Sequence, residues 1–158
     1  MSHHDRPGEE HAADTSHRVE QLQTDECWRL LQGASLARLA LLDADGAPEI
    51  YPINIQVVHG AVLIRSSYDA KARALAAHPR FALETDGGTL RVRWSVIAHG
   101  TAEVTANDID DAPAAGGGSW YPGEKSHVIR LTVEDLTGKR FLVPVTARTE
   151  GADQAPSS

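Results

Sequence analysis

The chain has 158 residues, a length that fits a single domain. It carries 15 Lys and Arg against 22 Asp and Glu, so its net charge is −7. This acidic balance argues against nucleic acid as a partner, because binding to phosphates needs clustered basic residues. No apolar run approaches the roughly 20 residues that span a bilayer, and we expect no secretory signal. The single cysteine, Cys27, cannot form an internal disulfide, so we expect a cytoplasmic protein that contacts no membrane.

Composition divides the chain into three segments. Residues 1–18 lack large apolar side chains after the first methionine and are predicted to be a disordered polar tail. Residues 19–146 carry the apolar patterning of a folded domain, and residues 147–158 are expected to fray. Histidines of the first tail offer metal ligands, but we favour a plain polar tail and predict no metal site. These histidines are His3, His4, His11 and His17.

The predicted elements begin with a helix near residue 24. Thr24 can cap the free amides of the first turn, and Asp25 and Glu26 lie at the positive end of the helix dipole. Gly33 is the predicted stop. An alanine-rich stretch over residues 69–77 predicts a second helix, which a proline two residues later ends.

Alternating patterns predict six or seven strands joined by short turns. In chain order they cover residues 36–42, 49–58, 61–66, 81–85, 90–104, 127–133 and 139–145. We expect a bend near Gly100, and a glycine-rich loop with one helical turn over residues 107–118. Pro52 cannot donate to a sheet ladder, so it marks an edge, a bulge or a kink. Short turns favour antiparallel pairing, and the predicted fold is mainly β (α+β), a barrel with two or three short helices.

Positive charge concentrates in the middle of this acidic chain. Residues 61–93 contain six basic and three acidic side chains, a local reversal that indicates an anion site. Arg65-Ser66-Ser67 leads from a strand end to the helix that carries Lys71. Guanidinium, hydroxyl and ammonium groups beside a helix N-terminus are the groups that bind a phosphate monoester. The open alternative is that Lys71 and Arg73 lie on the solvated face of the helix.

Two tryptophans offer flat apolar surface to a ring system. Trp94 lies beside Ser95 on the long predicted strand, and Trp120 follows three glycines on the predicted loop. Packing within their own domain is the open alternative for both. The backbone around Pro52 can leave carbonyl and amide groups free for a ligand, or can form a simple kink.

The motifs occur in a characteristic order over residues 22–145. They are Ala37-Arg38-Leu39-Ala40, Tyr51-Pro52-Ile53-Asn54, Arg65-Ser66-Ser67 with Lys71, Trp94-Ser95-Val96 and Trp120-Tyr121-Pro122. Together they resemble the pyridoxamine 5′-phosphate oxidase-like proteins, in particular their small actinobacterial branch. The resemblance implies an antiparallel split β-barrel that forms a homodimer and binds FMN at the subunit interface. It further implies an oxidoreductase that transfers hydride or electrons to or from a small molecule.

The resemblance also assigns roles to matching positions. The Arg-Ser-Ser segment and the lysine would hold the FMN phosphate, and the main chain around the strand proline would meet the isoalloxazine edge. The first tryptophan and its serine would lie near the flavin, and the second tryptophan would approach the site of the other subunit. The implied cofactor-binding residues are Tyr51, Pro52, Ile53, Asn54, Arg65, Ser66, Ser67, Lys71, Trp94, Ser95 and Trp120.

Two other functions on the same fold stay open. A reductase that uses the deazaflavin F420 would need an additional basic groove for the polyglutamate tail. A non-catalytic flavin- or haem-binding protein would, for haem, need an axial ligand, for which His99 and His127 are the strand candidates. An RNA- or DNA-binding barrel is disfavoured by the few aromatic residues and the acidic charge. No catalytic residue is predicted, because a flavin itself carries the reaction.

Overall fold

The computed structural model describes residues 18–106 and 127–144. In chain order the elements are β1 (Val19–Gln21), α1 (Thr24–Gly33), β2 (Leu36–Leu42), β3 (Pro48–Asn54), β4 (Gln56–Val58), β5 (Ala61–Ser66), α2 (Ala70–Ala77), β6 (Arg80–Gly88), β7 (Val92–Ala106) and β8 (His127–Leu142). Most of both predicted tails, the predicted loop and Trp120 lie outside the described residues. None of the helices in the described part is long and apolar enough to cross a bilayer.

All strands of the described part belong to one antiparallel sheet. The order is β3-β2-β6-β7-β8-β5-β4, and β1 pairs with β8. The curled sheet with two helices confirms the predicted mainly β, split-barrel fold. The strand number differs, because the described residues contain eight strands where six or seven were predicted.

The prediction of two closing strands, 127–133 and 139–145, was wrong. β8 is continuous because β7 pairs with it from Val92 opposite Leu142 to Ala106 opposite His127. The pairing shifts register between His99 and Gly100, next to the predicted bend, and such a bulge is a common cause of strand bending.

Gly138, which falls between the two predicted closing strands, lies within β8. A Cβ atom at this position would come within 2.7 Å of Cys27 Sγ, so the glycine permits close approach of α1. The strand predicted over residues 81–85 was too short. β6 extends to Gly88, and the turn follows it, where Thr89 Oγ1 accepts hydrogen bonds from the backbone N–H groups of Arg91 and Val92.

The predicted strand 49–58 is divided into β3 and β4 at Ile55. The backbone N–H of Ile55 still donates to the carbonyl of Ser35, just before β2, and from Gln56 onward the chain pairs with β5 instead. Pro52 lies in β3, opposite Arg38, at one end of the sheet. The structure therefore assigns Pro52 to an edge strand, one of the three expected contexts.

Both predicted helices form, but α1 begins differently. Thr24 is its first helical residue, and Gln23 occupies the cap position without a side-chain hydrogen bond. The proposed Thr24 cap was therefore wrong, while Asp25 and Glu26 do lie in the first turn and the helix ends at Gly33. α2 is capped by the residue that precedes it and contributes to the candidate site.

The core lies between the inner face of the sheet and the two helices. Its largest fully buried side chains are Leu31, Leu39, Val62, Leu75, Leu83, Ile129 and Leu131. A smaller cluster of Leu22, Cys27 and Val96 lies under α1. Burial of these apolar side chains is the main stabilising contribution to the fold.

Candidate functional site

Three polar side chains meet where β5 ends and α2 begins. Lys71 Nζ donates to Ser66 Oγ at 2.7 Å and to Asp69 Oδ2 at 2.8 Å. The Ser66 hydroxyl lies 3.2 Å from the same Asp69 oxygen and 2.8 Å from the carbonyl of Ser67. We call Ser66, Asp69 and Lys71 the Ser66–Lys71 cluster. Two of its members, Ser66 and Lys71, were predicted together from the sequence.

Local structure holds this cluster in place. Ser66 is the last residue of β5 and is only 2% exposed. Asp69 is the N-cap of α2, since its Oδ1 accepts the backbone N–H of Ala72 at 3.1 Å. Lys71 follows in the first helical turn, and its side chain is 12% exposed. The helix start therefore brings a shielded ammonium and a hydroxyl to one carboxylate oxygen.

The electrostatics of the cluster favour an anion at this point. Burial by itself raises the pKa of Asp69. Hydrogen bonds from Lys71, the backbone of Ala72 and Ser66, together with the positive charge of Lys71, outweigh it and hold that pKa below its ordinary value. The side chain of Asp69 is 42% exposed, so the carboxylate lies at the water-facing side of the cluster.

The edge strand β3 approaches the same cluster. Lys71 Nζ lies over the ring of Tyr51, 6.0 Å from its centroid. Ile53 is buried in the core, whereas Pro52 and Asn54 are exposed on the other face of the strand. Within the described residues β3 pairs only with β2, so backbone groups on its outer edge face away from the sheet.

The remaining two members of the predicted phosphate site flank Ser66. Ser67 is exposed, and its carbonyl accepts the backbone N–H of Asp69 at 2.8 Å. Arg65 is exposed too, but it precedes Ser66 on β5, and successive side chains of a strand point to opposite faces. Arg65 and Ser66 therefore do not approach a ligand from the same side of the strand.

Trp94 and Ser95 lie far from the Ser66–Lys71 cluster along the direction of the strands. Ser66 pairs with His127 at the start of β8, whereas Trp94 pairs with Arg140 near its end. Trp94 packs against the small core cluster under α1. Within one chain, the structure does not bring Trp94 and Ser95 to the Ser66–Lys71 cluster.

Sequence reasoning missed Asp69 and Tyr68 at this site, and it named His127 only as a candidate haem ligand. Asp69 was treated only as the start of a helix, although an Asp before an alanine-rich stretch is the signal of a capping carboxylate. Tyr68 and His127 form a tilted ring pair with centroids 5.1 Å apart, next to Ser66. No local signal links these two rings, because β5 and β8 are distant in the sequence. Among the described residues no group of three or more His, Cys, Asp or Glu side chains is arranged to hold a metal ion.

The outer face of β2 and β3 is partly apolar. Cross-strand pairing places Ala40 beside Ile50, which is 67% exposed, and Leu42 at one end of the same face is 45% exposed. Leu36 and Arg38 of β2 lie on the same outer face, and the Arg38 side chain is half-exposed. The Arg38 guanidinium contacts the carboxylates of Glu84 at 3.0 Å and Asp86 at 3.1 Å.

Comparison with known proteins identifies the family. Residues 23–140 match the family model described as pyridoxamine 5′-phosphate oxidase. A putative pyridoxamine 5′-phosphate oxidase from Corynebacterium glutamicum is 26% identical, with a TM-score of 0.66 over 80% of this chain and 95% of that one. The FAD binding protein from Mycobacterium smegmatis is 28% identical, with a TM-score of 0.60 over 78% of this chain and 99% of that one.

An F420 reductase shares the fold at 17% identity, with a TM-score of 0.52 over 68% of this chain and 93% of that one. A search of curated protein sequences gave no match. The family match spans nearly the whole described part of the chain. The protein therefore belongs to the pyridoxamine 5′-phosphate oxidase-like family.

Proposed function

We propose that the protein binds FMN and acts as an oxidoreductase on a small molecule. One observation carries this proposal: Lys71 Nζ and Ser66 Oγ converge within 3.2 Å on a single oxyanion, the carboxylate oxygen of Asp69. The single Ser66 O–H can turn to this oxygen from the Ser67 carbonyl, which lies 2.8 Å away. Together with Lys71 and the nearby N-terminus of a helix, it fits the terminal phosphate of FMN.

In this proposal the residues of the chain bind and orient the cofactor. Lys71 and Ser66 hold the phosphate, with Ser67 beside them and Arg65 reaching it around the strand end. The ring system lies towards Tyr51 and the edge backbone of β3. When bound, FMN supplies the transfer of hydride or electrons, and the protein supplies its position and the exclusion of water.

We further propose that the protein is a homodimer, in which the Ser66–Lys71 cluster of one copy meets Trp94 and Ser95 of the other. We also propose that it is located in the cytoplasm. The first support for the dimer is the exposed apolar outer face of β2 and β3. The second is that Ser66 and Trp94 pair with opposite ends of β8, at His127 and Arg140. In this proposal Trp94 and Ser95 reach a flavin at the Ser66–Lys71 cluster from the partner copy. Cys27, a buried free thiol, fits a reducing compartment.

Titration of the purified protein with FMN tests the phosphate site. We expect saturation at one FMN per subunit, and we expect Lys71→Met to raise the Kd about tenfold or more, because a charge-assisted hydrogen bond contributes about 1.5–3 kcal/mol. Quenching of flavin fluorescence measures both. Arg73→Met is the matched control, since Arg73 is an exposed cation on the same helix outside the cluster.

Riboflavin, which lacks the phosphate, should bind wild type and Lys71→Met equally. Equal FMN affinity of wild type and Lys71→Met would refute the placement of the phosphate. FAD is the second candidate cofactor, favoured by the similarity to the FAD binding protein from Mycobacterium smegmatis. Parallel titrations with FAD, F420 and haemin therefore decide the cofactor. If one of them binds tightly and FMN binds weakly, that compound and not FMN is the cofactor.

A further inference from the structure

An anion of the chain itself occupies the point that a cofactor phosphate would need. Asp69 Oδ2 lies 2.8 Å from Lys71 Nζ and 3.2 Å from Ser66 Oγ. Both side chains proposed to hold the phosphate thus contact this carboxylate. A phosphate cannot accept from the same donors in the same direction while the carboxylate stays there.

Resting on the flavin site proposed above, we propose that Asp69 competes with the cofactor phosphate for Lys71 and Ser66. Binding then exchanges one anion for another instead of filling an open site. Asp69 is thereby a specificity-determining residue. It weakens the binding of every ligand whose phosphate enters the Ser66–Lys71 cluster, and it leaves the binding of an unphosphorylated flavin unchanged.

The positions of the three side chains allow this exchange. Asp69 is 42% exposed and precedes α2, so its carboxylate can turn into water. Lys71 is 12% exposed and Ser66 only 2%, so these two donors stay in place. A phosphate has enough oxygens to accept from both and also from the backbone N–H of Ala72, which Asp69 Oδ1 now accepts.

The same contact stabilises the protein before a ligand binds. An ammonium as shielded as that of Lys71 needs a partner, because a buried charge without one is costly. Asp69 therefore stabilises the ligand-free fold and weakens the binding of a ligand phosphate. A purely structural role predicts a different pattern, in which loss of the Asp69 charge weakens both folding and binding.

Asp69→Asn separates these two roles. Asparagine retains an oxygen that can cap Ala72, but it brings no negative charge to Lys71. We expect the Kd for FMN to fall about fivefold, the change in an equilibrium constant that a partly exposed ion pair produces. The Kd for riboflavin should stay the same, and the urea midpoint of the ligand-free variant should fall.

Asp43→Asn is the matched control. The Asp43 carboxylate accepts the backbone N–H groups of Asp45 at 2.9 Å and Ala47 at 2.8 Å in the turn between β2 and β3. This variant removes the same charge from a similar backbone-capping carboxylate outside the Ser66–Lys71 cluster. It should leave the Kd for FMN unchanged.

Inorganic phosphate tests the inference independently of flavin. At equal ionic strength, phosphate should raise the thermal midpoint of Asp69→Asn more than that of wild type or Asp43→Asn. If phosphate acts in this way but no variant binds FMN, the competition stands and the flavin assignment fails. If Asp69→Asn binds FMN no more tightly than wild type and responds to phosphate no more strongly, the inference is overturned while the flavin site remains.

Discussion

Asp69 and Lys71 lie two residues apart, and their contact determines what the start of α2 presents to a ligand. The sequence predicted that Ser66 and Lys71 act together, and the structure brings Ser66 Oγ and Lys71 Nζ to 2.7 Å. The sequence did not predict that the Asp69 carboxylate contacts both of them. The sequence shows that Asp69 and Lys71 are close along the chain. Only the backbone conformation between β5 and α2 determines that Lys71 Nζ contacts Asp69 Oδ2.

At the residue scale we predict a pH dependence of stability from Asp69. Its pKa in the folded protein lies below the ordinary value of 3.8, so the ionised form stabilises the fold above that pH. This contribution is lost as the pH falls through the folded pKa. The difference in free energy of unfolding between wild type and Asp69→Asn should be constant near neutral pH and should shrink below about pH 4. Urea unfolding from pH 7 to pH 3 measures it, and a constant difference at all pH values would contradict the prediction.

Among the elements, the strands show how local patterns can mislead. The sequence predicted a break in the chain between strands 127–133 and 139–145, yet β8 continues through it because β7 pairs with its full length. In contrast, α2 was predicted correctly from its alanines and the proline that follows. Helix formation depends on near neighbours, whereas the length of a strand depends on its partner.

At the element scale we predict that α2 is held by Leu75. Leu75 is fully buried in the main core, and α2 carries Lys71. Leu75→Ala should lower the free energy of unfolding by about 2–5 kcal/mol, because it leaves a cavity. Leu90→Ala is the matched control, since Leu90 is 89% exposed and its truncation should change stability by less than about 0.5 kcal/mol. Urea denaturation measures both variants, and equal stabilities would show that α2 does not depend on this contact.

For the whole molecule, the sheet order is the decisive feature. β6 lies beside β2, and β8 lies between β7 and β5, so distant segments become neighbours. In this order, the two halves of the predicted flavin site lie beside opposite ends of β8: Ser66 pairs with His127, and Trp94 pairs with Arg140. The homodimer proposed above would join these two halves across two copies of the chain.

At this scale we predict a dimer through the outer face of β2 and β3. Ile50→Glu should weaken dimer formation about tenfold or more, because it would bury an unpaired charge. It should also weaken FMN binding if, as proposed, the partner contributes Trp94 and Ser95 to the site. Ala76→Glu is the control, an exposed apolar residue on α2. Analytical ultracentrifugation at several protein concentrations measures the oligomeric state, and a monomeric wild type would contradict the proposed dimer.

The sequence by itself determined the mainly β fold, the two helices, the edge position of Pro52 as one of three alternatives, and the association of Ser66 with Lys71. These features depend on side-chain type and on near neighbours, which the sequence displays. Only the tertiary structure decided the continuity of β8, the pairing of Tyr68 with His127, and the separation of Trp94 from Ser66. They depend on which distant strands pair and in which register, and no local pattern of residues specifies that choice.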